Sequence, residues 1–164
     1  CPVTQGNLGD GIFDGARFLE NGGRFGIGSD SNIRISVAGE LRQLEYSQRL
    51  HDRARVVLAG ANQSAGSNLY ERALSGGAQA LGRDCGAIET GRWADLVALD
   101  LECDGLFGLS GDRVLDGWIF AGSNRCVTDV WSAGRHAVRG GRHVAREAVA
   151  ARYASCIRDV LSRI

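Results

Sequence analysis

The chain has 164 residues, 44% of them hydrophobic and 23% charged, which is the size and composition of a folded domain and not of a disordered segment. Its 19 basic and 19 acidic residues cancel, so nucleic acid is excluded as a first choice of partner. The apolar runs are too short to cross a membrane, and no charged-then-apolar leader is visible. We therefore expect neither a nucleic-acid nor a membrane partner.

The start of the chain is unusual for a terminus. The sequence contains no methionine and opens on Cys1-Pro2-Val3-Thr4, which is typical of the exit from a buried element. We therefore expect a piece of a longer polypeptide, whose missing N-terminal part would complete the fold.

Cysteine usage bears on the compartment. The five cysteines, at positions 1, 85, 103, 126 and 156, are odd in number and show no C-x-x-C spacing. Most of them stand in apolar surroundings. This usage predicts reduced structural thiols in a cytoplasmic protein, since disulfides are rare in that compartment.

The first half of the chain is predicted to be helices around one short strand. Residues 1–11 are punctuated by glycine, which predicts a loop, and the pattern over 12–21 predicts a helix. Residues 24–27 predict a buried strand. Two further helices are expected at 36–52, with Ser36 as N-cap, and at 68–81, with Asn68 and Glu71 at capping-box spacing and a break at Gly76-Gly77.

The second half is predicted to be a small antiparallel sheet followed by a helix. The unbroken apolar run at 96–99 indicates a strand buried on both faces. Further strands are predicted at 118–121, 127–131, 135–138 and 142–144. The last helix is expected at about 146–163, with one apolar stripe: Val149, Tyr153, Ile157, Val160 and Ile164.

Asp30 is the candidate catalytic residue. It follows the predicted strand at the end where α/β folds gather their catalytic loops, and Ser29 and Ser31 flank it. The competing interpretation is that Asp30 caps the following helix, because strand-to-helix turns are rich in capping Asp and Ser. The residue pattern by itself leaves both interpretations open.

The histidines do not complete a site around Asp30. His51, His136 and His143 form no H-x-H or H-E-x-x-H spacing, so each is predicted to be a surface or structural residue. A catalytic zinc needs about three protein ligands and an open position. Taken alone, the chain therefore offers one candidate catalytic carboxylate and no complete site.

Four stretches of the chain carry a family resemblance. Residues 4–13 (TQGNLGDGIF), 24–31 (RFGIGSDS), 40–50 (ELRQLEYSQRL) and 77–83 (GAQALGR) resemble the C-terminal part of the formimidoylglutamate deiminases, which belong to the amidohydrolase superfamily. The later pattern over 81–100 is shared widely in that superfamily and supports only the superfamily.

The resemblance implies a fold. It is the C-terminal fragment of a (β/α)8 barrel, with the end of strand 7, strand 8 carrying Asp30 and the trailing helices, joined to the C-terminal share of a β-sandwich. The implied division places barrel elements at 1–81, the sandwich portion at 82–144 and the C-terminal helix at 145–164. A full barrel of this kind takes about 250 residues, more than this chain contains.

The resemblance also implies a reaction. Asp30 matches the aspartate that binds the catalytic zinc and handles the proton of the attacking water in this superfamily. The implied reaction is hydrolysis of N-formimino-L-glutamate to N-formyl-L-glutamate and ammonia, a step of histidine degradation, on a small-molecule substrate. The other metal ligands would lie upstream of Cys1, so this chain alone is expected to be inactive.

Three further residues are candidates for contact with the substrate. Thr4 and Asn7 would lie on the loop after strand 7, and Asn32 stands where the family commonly has histidine. A second departure is Gly39, at a usually acidic position, which removes half of the capping box of Ser36.

Two rival hypotheses remain at this stage. One keeps the superfamily and changes the substrate, as in guanine or S-adenosylhomocysteine deaminases. The other is a non-catalytic assembly module, in which the sandwich and the last helix mediate contacts between subunits. A homo-oligomer is expected in either case, because an unpaired strand and apolar faces promote association.

Overall fold

The structure is a computed structural model that describes residues 1–31 and 34–164. In that part of the chain the helices are α1 (Pro2–Leu8), α2 (Gly15–Glu20), α3 (Val37–Asp52), α4 (Ala65–Leu81), α5 (Asp112–Asp116) and α6 (Arg146–Leu161). The strands are β1 (Leu96–Leu99), β2 (Val127–Ser132), β3 (Arg135–Arg139) and β4 (Arg142–His143). No helix of the described residues is both long and apolar enough to cross a membrane.

Helix α3 confirms its prediction closely. The Ser36 hydroxyl accepts a hydrogen bond from the Gly39 amide at 3.1 Å, which satisfies one of the free N–H groups of the first turn. Leu41 and Leu44 are buried in the core that α3 shares with α4 and with the segment around Trp118. This packing fixes α3 in the core of the described chain.

Helix α4 begins earlier than predicted and does not break. Its N-cap is Ser64, whose side chain accepts from the Ser67 amide, so the proposed capping box at Asn68 is wrong. The Asn68 amide group is instead buried and donates to the Leu58 carbonyl at 2.7 Å. The helix runs unbroken through Gly76-Gly77. Glycine stands at 76 because any side chain there would clash with the backbone of Phe25.

The strand predicted at 24–27 lies in a segment, 23–29, that pairs with no other described residues, so its place in a sheet stays a prediction. Exposed and half-buried residues alternate along the segment, as extended backbone requires. A strand needs a hydrogen-bonded neighbour, and none is present among the described residues. The segment lies on α4 instead, where a Cβ on Gly26 would be 3.0 Å from the Gly77 Cα.

The N-terminus is also more helical than predicted. Residues 2–8 form α1 and not a loop, with Pro2 in its first turn and Gly9 in the left-handed conformation after its last residue. Helix α2 is shorter than the predicted 12–21. It begins only after Asp14, whose carboxylate accepts from the Arg17 amide at 3.1 Å.

The sheet has the order β1-β2-β3-β4, and all its pairs are antiparallel. The strand predicted at 118–121 is wrong, because α5 continues there into a π-helical turn, Gly117–Ala121. Trp118 and Ile119 are buried in the core on that turn. A short apolar run does not distinguish a buried strand from a buried helical turn, which explains the error.

Two apolar surfaces are open in the described residues, and one of them, the strand at 96–99, was predicted to be buried. Val97 in β1 is 47% exposed, so this strand is not buried on both faces. No residue of α6 is buried. The helix itself is where the sequence predicted it, and its stripe faces solvent.

The cysteine prediction is wrong for two of the five. Cys103 and Cys126 form a disulfide, with Cα atoms 5.5 Å apart. A 3₁₀ turn, Asn124–Cys126, brings Cys126 to the loop that follows β1, a proximity that spacing along the chain does not reveal. Cys1 and Cys156 are exposed thiols and not apolar core residues.

Candidate functional site

Asp30 ends the extended segment and turns the chain. Its φ is +49°, in the left-handed region that few residues other than glycine adopt. Aspartate tolerates this conformation better than most residues, yet the conformation persists only when the surroundings hold it. The residue is exposed. An exposed carboxylate on a constrained turn is a candidate functional group.

The capping interpretation of Asp30 does not hold for the helix that follows. Helix α3 is capped by Ser36, six residues later, whose hydroxyl accepts from the Gly39 amide. Among the described residues, the Asp30 carboxylate makes no hydrogen bond and no ion pair. Its oxygens are therefore available to an external ligand.

The peptide before Asp30 is held by Thr4. The Thr4 hydroxyl donates to the Ser29 carbonyl at 2.8 Å, and Thr4 is only 5% exposed. One residue earlier on α1, the Val3 amide donates to Glu40 Oε2 at 3.0 Å. Glu40 lies on α3 and is buried. These two bonds connect α3, α1 and the turn at Asp30 in sequence.

The other candidate substrate contacts are placed differently. Asn7 is exposed on the last turn of α1. Asn32 lies outside the described residues. Contact of Thr4, Asn7 or Asn32 with a substrate therefore stays a prediction.

Each histidine has a local partner away from this turn. His51 Nδ1 lies 2.6 Å from Asp52 Oδ1, and His143 Nδ1 accepts from the Ala145 amide. His136 lies 2.6 Å from Asp129 Oδ1 on the sheet, and this hydrogen bond holds the pKa of the Asp129 carboxyl below its usual value.

The ligand chemistry suits a metal only in part. A carboxylate such as that of Asp30 is an ordinary zinc ligand. Among residues 1–31 and 34–164, however, no group of three or more His, Cys, Asp or Glu residues could hold a metal ion. Asp30 thus fits as one member of a ligand set that the described part of this chain does not complete.

A cleft of about 650 Å³ lies elsewhere, at the N-terminus of α3. Its walls include Arg34, Arg42 and Arg125, and Asp30 is not among its lining residues. Arg42 already donates to the Ile119 carbonyl at 2.7 Å. The cleft is therefore separate from the turn at Asp30 and gives no support to a site there.

Sequence reasoning missed the role of the buried polar residues of α3. Glu40, Glu45 and Gln48 are at most 2% exposed and hold backbone groups of other elements. Glu40 and Gln48 lie four residues on either side of Leu44, hence on the buried face of the helix. Polar residues on an apolar stripe are the signal that could have revealed them.

This chain is similar to known proteins of one family. The amidohydrolase family model matches residues 1–137. The chain is 49% identical over 98% of its length to a formimidoylglutamate deiminase of Pseudomonas aeruginosa, and it spans 36% of that protein.

Solved structures agree. An amidohydrolase from Brucella melitensis superposes with a TM-score of 0.90 at 49% identity, covering 98% of this chain and 35% of the other. A zinc-bound adenosine deaminase from Xanthomonas campestris gives 0.82 at 26% identity, covering all of this chain and 37% of the other. The chain spans about a third of the length of these relatives and corresponds to the C-terminal part of their fold. It belongs to the amidohydrolase family.

Proposed function

We propose that the polypeptide to which this chain belongs hydrolyses N-formimino-L-glutamate to N-formyl-L-glutamate and ammonia, as a step of histidine degradation. The observation that carries this proposal is the 49% identity to a formimidoylglutamate deiminase, which extends over nearly the whole chain. The Asp30 carboxylate agrees with it: it is exposed, has no partner among the described residues, and lies at the turn where the family resemblance puts the catalytic aspartate.

In this proposal Asp30 does two things. It contributes one ligand to a zinc ion, which when bound lowers the pKa of the attacking water. The Asp30 carboxylate would accept the two protons of the attacking water one after the other and pass each to the imino nitrogen. The carbon–nitrogen double bond is then replaced by a bond to the water oxygen as C=O, and the nitrogen, now carrying three protons, leaves as ammonia.

The remaining parts of the site are proposed to come from the N-terminal part of the same polypeptide. That part would supply the other metal ligands and the groups that hold the carboxylates of the substrate. Asn7 and Asn32 are proposed to contact the substrate at the edge contributed by this chain. This chain alone is expected to be inactive.

The same proposal divides the chain into three parts. Barrel elements occupy 1–81, the sandwich portion 82–144 and the C-terminal helix 145–164. We expect a homo-oligomer, since the open faces of β1 and α6 favour association. The cytoplasmic location stays part of the proposal and rests on the family resemblance, not on cysteine usage, because Cys103 and Cys126 form a disulfide.

A second candidate function is deamination of an aromatic base, as in guanine or S-adenosylhomocysteine deaminases. The similarity to the adenosine deaminase structure favours it. A dicarboxylic substrate requires cationic partners in the site, whereas a purine requires stacking side chains. The third possibility is an assembly module without activity, which predicts no metal binding.

One experiment separates these candidates. The full-length gene product and its Asp30→Asn variant are assayed for zinc content and for ammonia release from N-formimino-L-glutamate, guanine and S-adenosylhomocysteine. We expect about one zinc per chain and activity on the first substrate only, with both reduced in the variant. Activity on a purine alone would select the second candidate, and absence of zinc and activity would select the third.

A further inference from the structure

We propose that Thr4 is a positioning residue for Asp30, acting through the Ser29 carbonyl and not on the substrate. The inference rests on the proposed metal-dependent function, because it concerns the residue that would hold the metal. It assigns to Thr4 a role different from the substrate contact that the sequence suggested.

The first step is the state of the Thr4 hydroxyl. A threonine hydroxyl has one proton to donate, and Thr4 donates it to the Ser29 carbonyl at 2.8 Å. The residue is 5% exposed. A buried hydroxyl whose proton is already used inside the protein is poorly placed to bind a substrate.

The second step is the need of the Ser29 carbonyl. Among the described residues, the donor to the Ser29 carbonyl is the Thr4 hydroxyl and not a neighbouring strand. Ser29 is half-buried. A backbone carbonyl that is shielded from water and has no donor lowers the stability of the fold. The Thr4 hydroxyl supplies that donor to the Ser29 carbonyl.

The third step is that Thr4 is itself anchored. The Val3 amide, next to it on α1, donates to the carboxylate of Glu40 at 3.0 Å. Glu40 is 2% exposed on α3, a helix with six buried residues. The position of the Thr4 hydroxyl is therefore set by α3 and not by a mobile loop.

The last step links Ser29 to the Asp30 side chain. A single peptide group joins the two residues, and Asp30 adopts a left-handed conformation that needs support from its surroundings. Rotation of the 29–30 peptide would redirect the carboxylate. The hydrogen bond to the Ser29 carbonyl therefore orients the Asp30 carboxylate. Residues that hydrogen-bond around a metal ligand commonly orient the ligand in this way.

The test uses the full-length enzyme with Thr4→Val, which removes the hydroxyl and preserves shape, and Thr4→Ser, which restores it. Thr128→Val is the matched control, because the Thr128 hydroxyl also donates to a backbone carbonyl, that of Ala98, but on the sheet. Zinc retention is measured by competition with a chelator, and the absorption spectrum of the cobalt-substituted protein reports ligand geometry. Steady-state kinetics with N-formimino-L-glutamate give kcat and KM.

We expect Thr4→Val to weaken zinc retention and to lower kcat, each by about 10–100-fold, with a smaller change in KM and an altered cobalt spectrum. Thr4→Ser and Thr128→Val should stay close to the unmodified enzyme in all of these measurements. If Thr4→Val does not fold, as judged by circular dichroism, Thr4→Ala replaces it with the same expectation.

Unchanged zinc retention and cobalt spectrum in the Thr4→Val enzyme would overturn the inference, as would equal damage in Thr4→Ser. Full zinc retention in Asp30→Asn would overturn it together with the proposed metal site. Weakened zinc retention in Thr4→Val, rescued in Thr4→Ser, would support it even if the enzyme does not act on N-formimino-L-glutamate, in which case only the substrate proposal fails.

Discussion

Helices α3 and α6 are each 16 residues long and each carries an apolar stripe, yet they have opposite environments. Six residues of α3 are buried, and none of α6 is. The stripe on α3 faces α1, α4 and the π-helical turn, whereas the stripe on α6 faces solvent. An amphipathic pattern thus predicts that one face of a helix can be buried. Whether that face is buried depends on the elements that pack against it.

The polar residues of the two helices differ in the same way. On α3, Glu45 Oε1 and Oε2 accept from the Val57 and Leu58 amides, both at 2.9 Å, and Arg49 pairs with it at 2.7 Å. On α6 the ion pair of Asp159 and Arg163 lies in solvent. The buried carboxylate of Glu45 thus holds backbone amides of another segment, whereas among the described residues the exposed pair on α6 contacts only solvent and its own helix end.

The largest expected effect comes from Glu45→Ala. The substitution leaves two amides without an acceptor and Arg49 without its partner, at a residue with no exposed surface. Removing one member of such a buried set costs about 3–5 kcal/mol of unfolding free energy. Urea unfolding measures it, with the exposed Glu71→Ala as control. A loss no larger than that of the control would contradict the role given to Glu45.

A second pair of substitutions compares the two stripes directly. Leu41 is fully buried on α3, so Leu41→Ala should cost about 2–5 kcal/mol. Ile157 is 37% exposed on α6, and Ile157→Ala should change the stability of this chain by about 0.5 kcal/mol or less. Urea unfolding of both variants measures the difference.

The same Ile157→Ala substitution sharpens the comparison when it is made in the full-length polypeptide. A cost there well above that in this chain would show that another segment or subunit covers α6. Equal costs in both would show that the stripe stays open.

A pH-dependent effect is expected on the sheet. The hydrogen bond from His136 lowers the pKa of Asp129 in the folded state. A lowered folded pKa contributes stability above the unfolded value, about 3.9, and loses it as the pH falls through the folded value. The melting temperature should therefore fall more steeply below about pH 4 in the unmodified chain than in Asp129→Asn. Parallel profiles would contradict the pairing.

The smallest effect is expected on α6. The ion pair of Asp159 and Arg163 is spaced four residues apart and is largely exposed. Arg163→Ala should therefore cost no more than about 0.5 kcal/mol, and less at high salt. Thermal unfolding at low and high ionic strength measures it. A cost comparable to that of Leu41→Ala would show that this end of α6 is buried in solution.

Much of the helical and sheet pattern was predictable from local signals. The Ser36 cap with the apolar spacing after it predicted α3, and the strands predicted at 127–131, 135–138 and 142–144 match β2, β3 and β4. These signals depend only on residues close in sequence, so tertiary packing does not change them. The family resemblance likewise needed only the residues themselves, and it is confirmed.

The errors have two causes. The strand at 118–121 was wrong because a short apolar run fits a strand and a buried helical turn equally well. The break at Gly76-Gly77 was wrong because a contact distant in sequence explains these glycines. Gly76 is small because Phe25 crosses it, and not because the helix ends there. Local propensity cannot report such a crossing.

For the candidate site, the residue pattern singled out Asp30 but left a catalytic role and a capping role both open, and its proposed role at a metal comes from the family resemblance. Tertiary structure alone decided which side chains hold Asp30. That Thr4 turns inward to the Ser29 carbonyl, and that Glu40 anchors α1, follow from where three segments meet. A hydrogen bond between residues 25 or 37 positions apart depends on the packing of whole elements, and no local pattern encodes that packing.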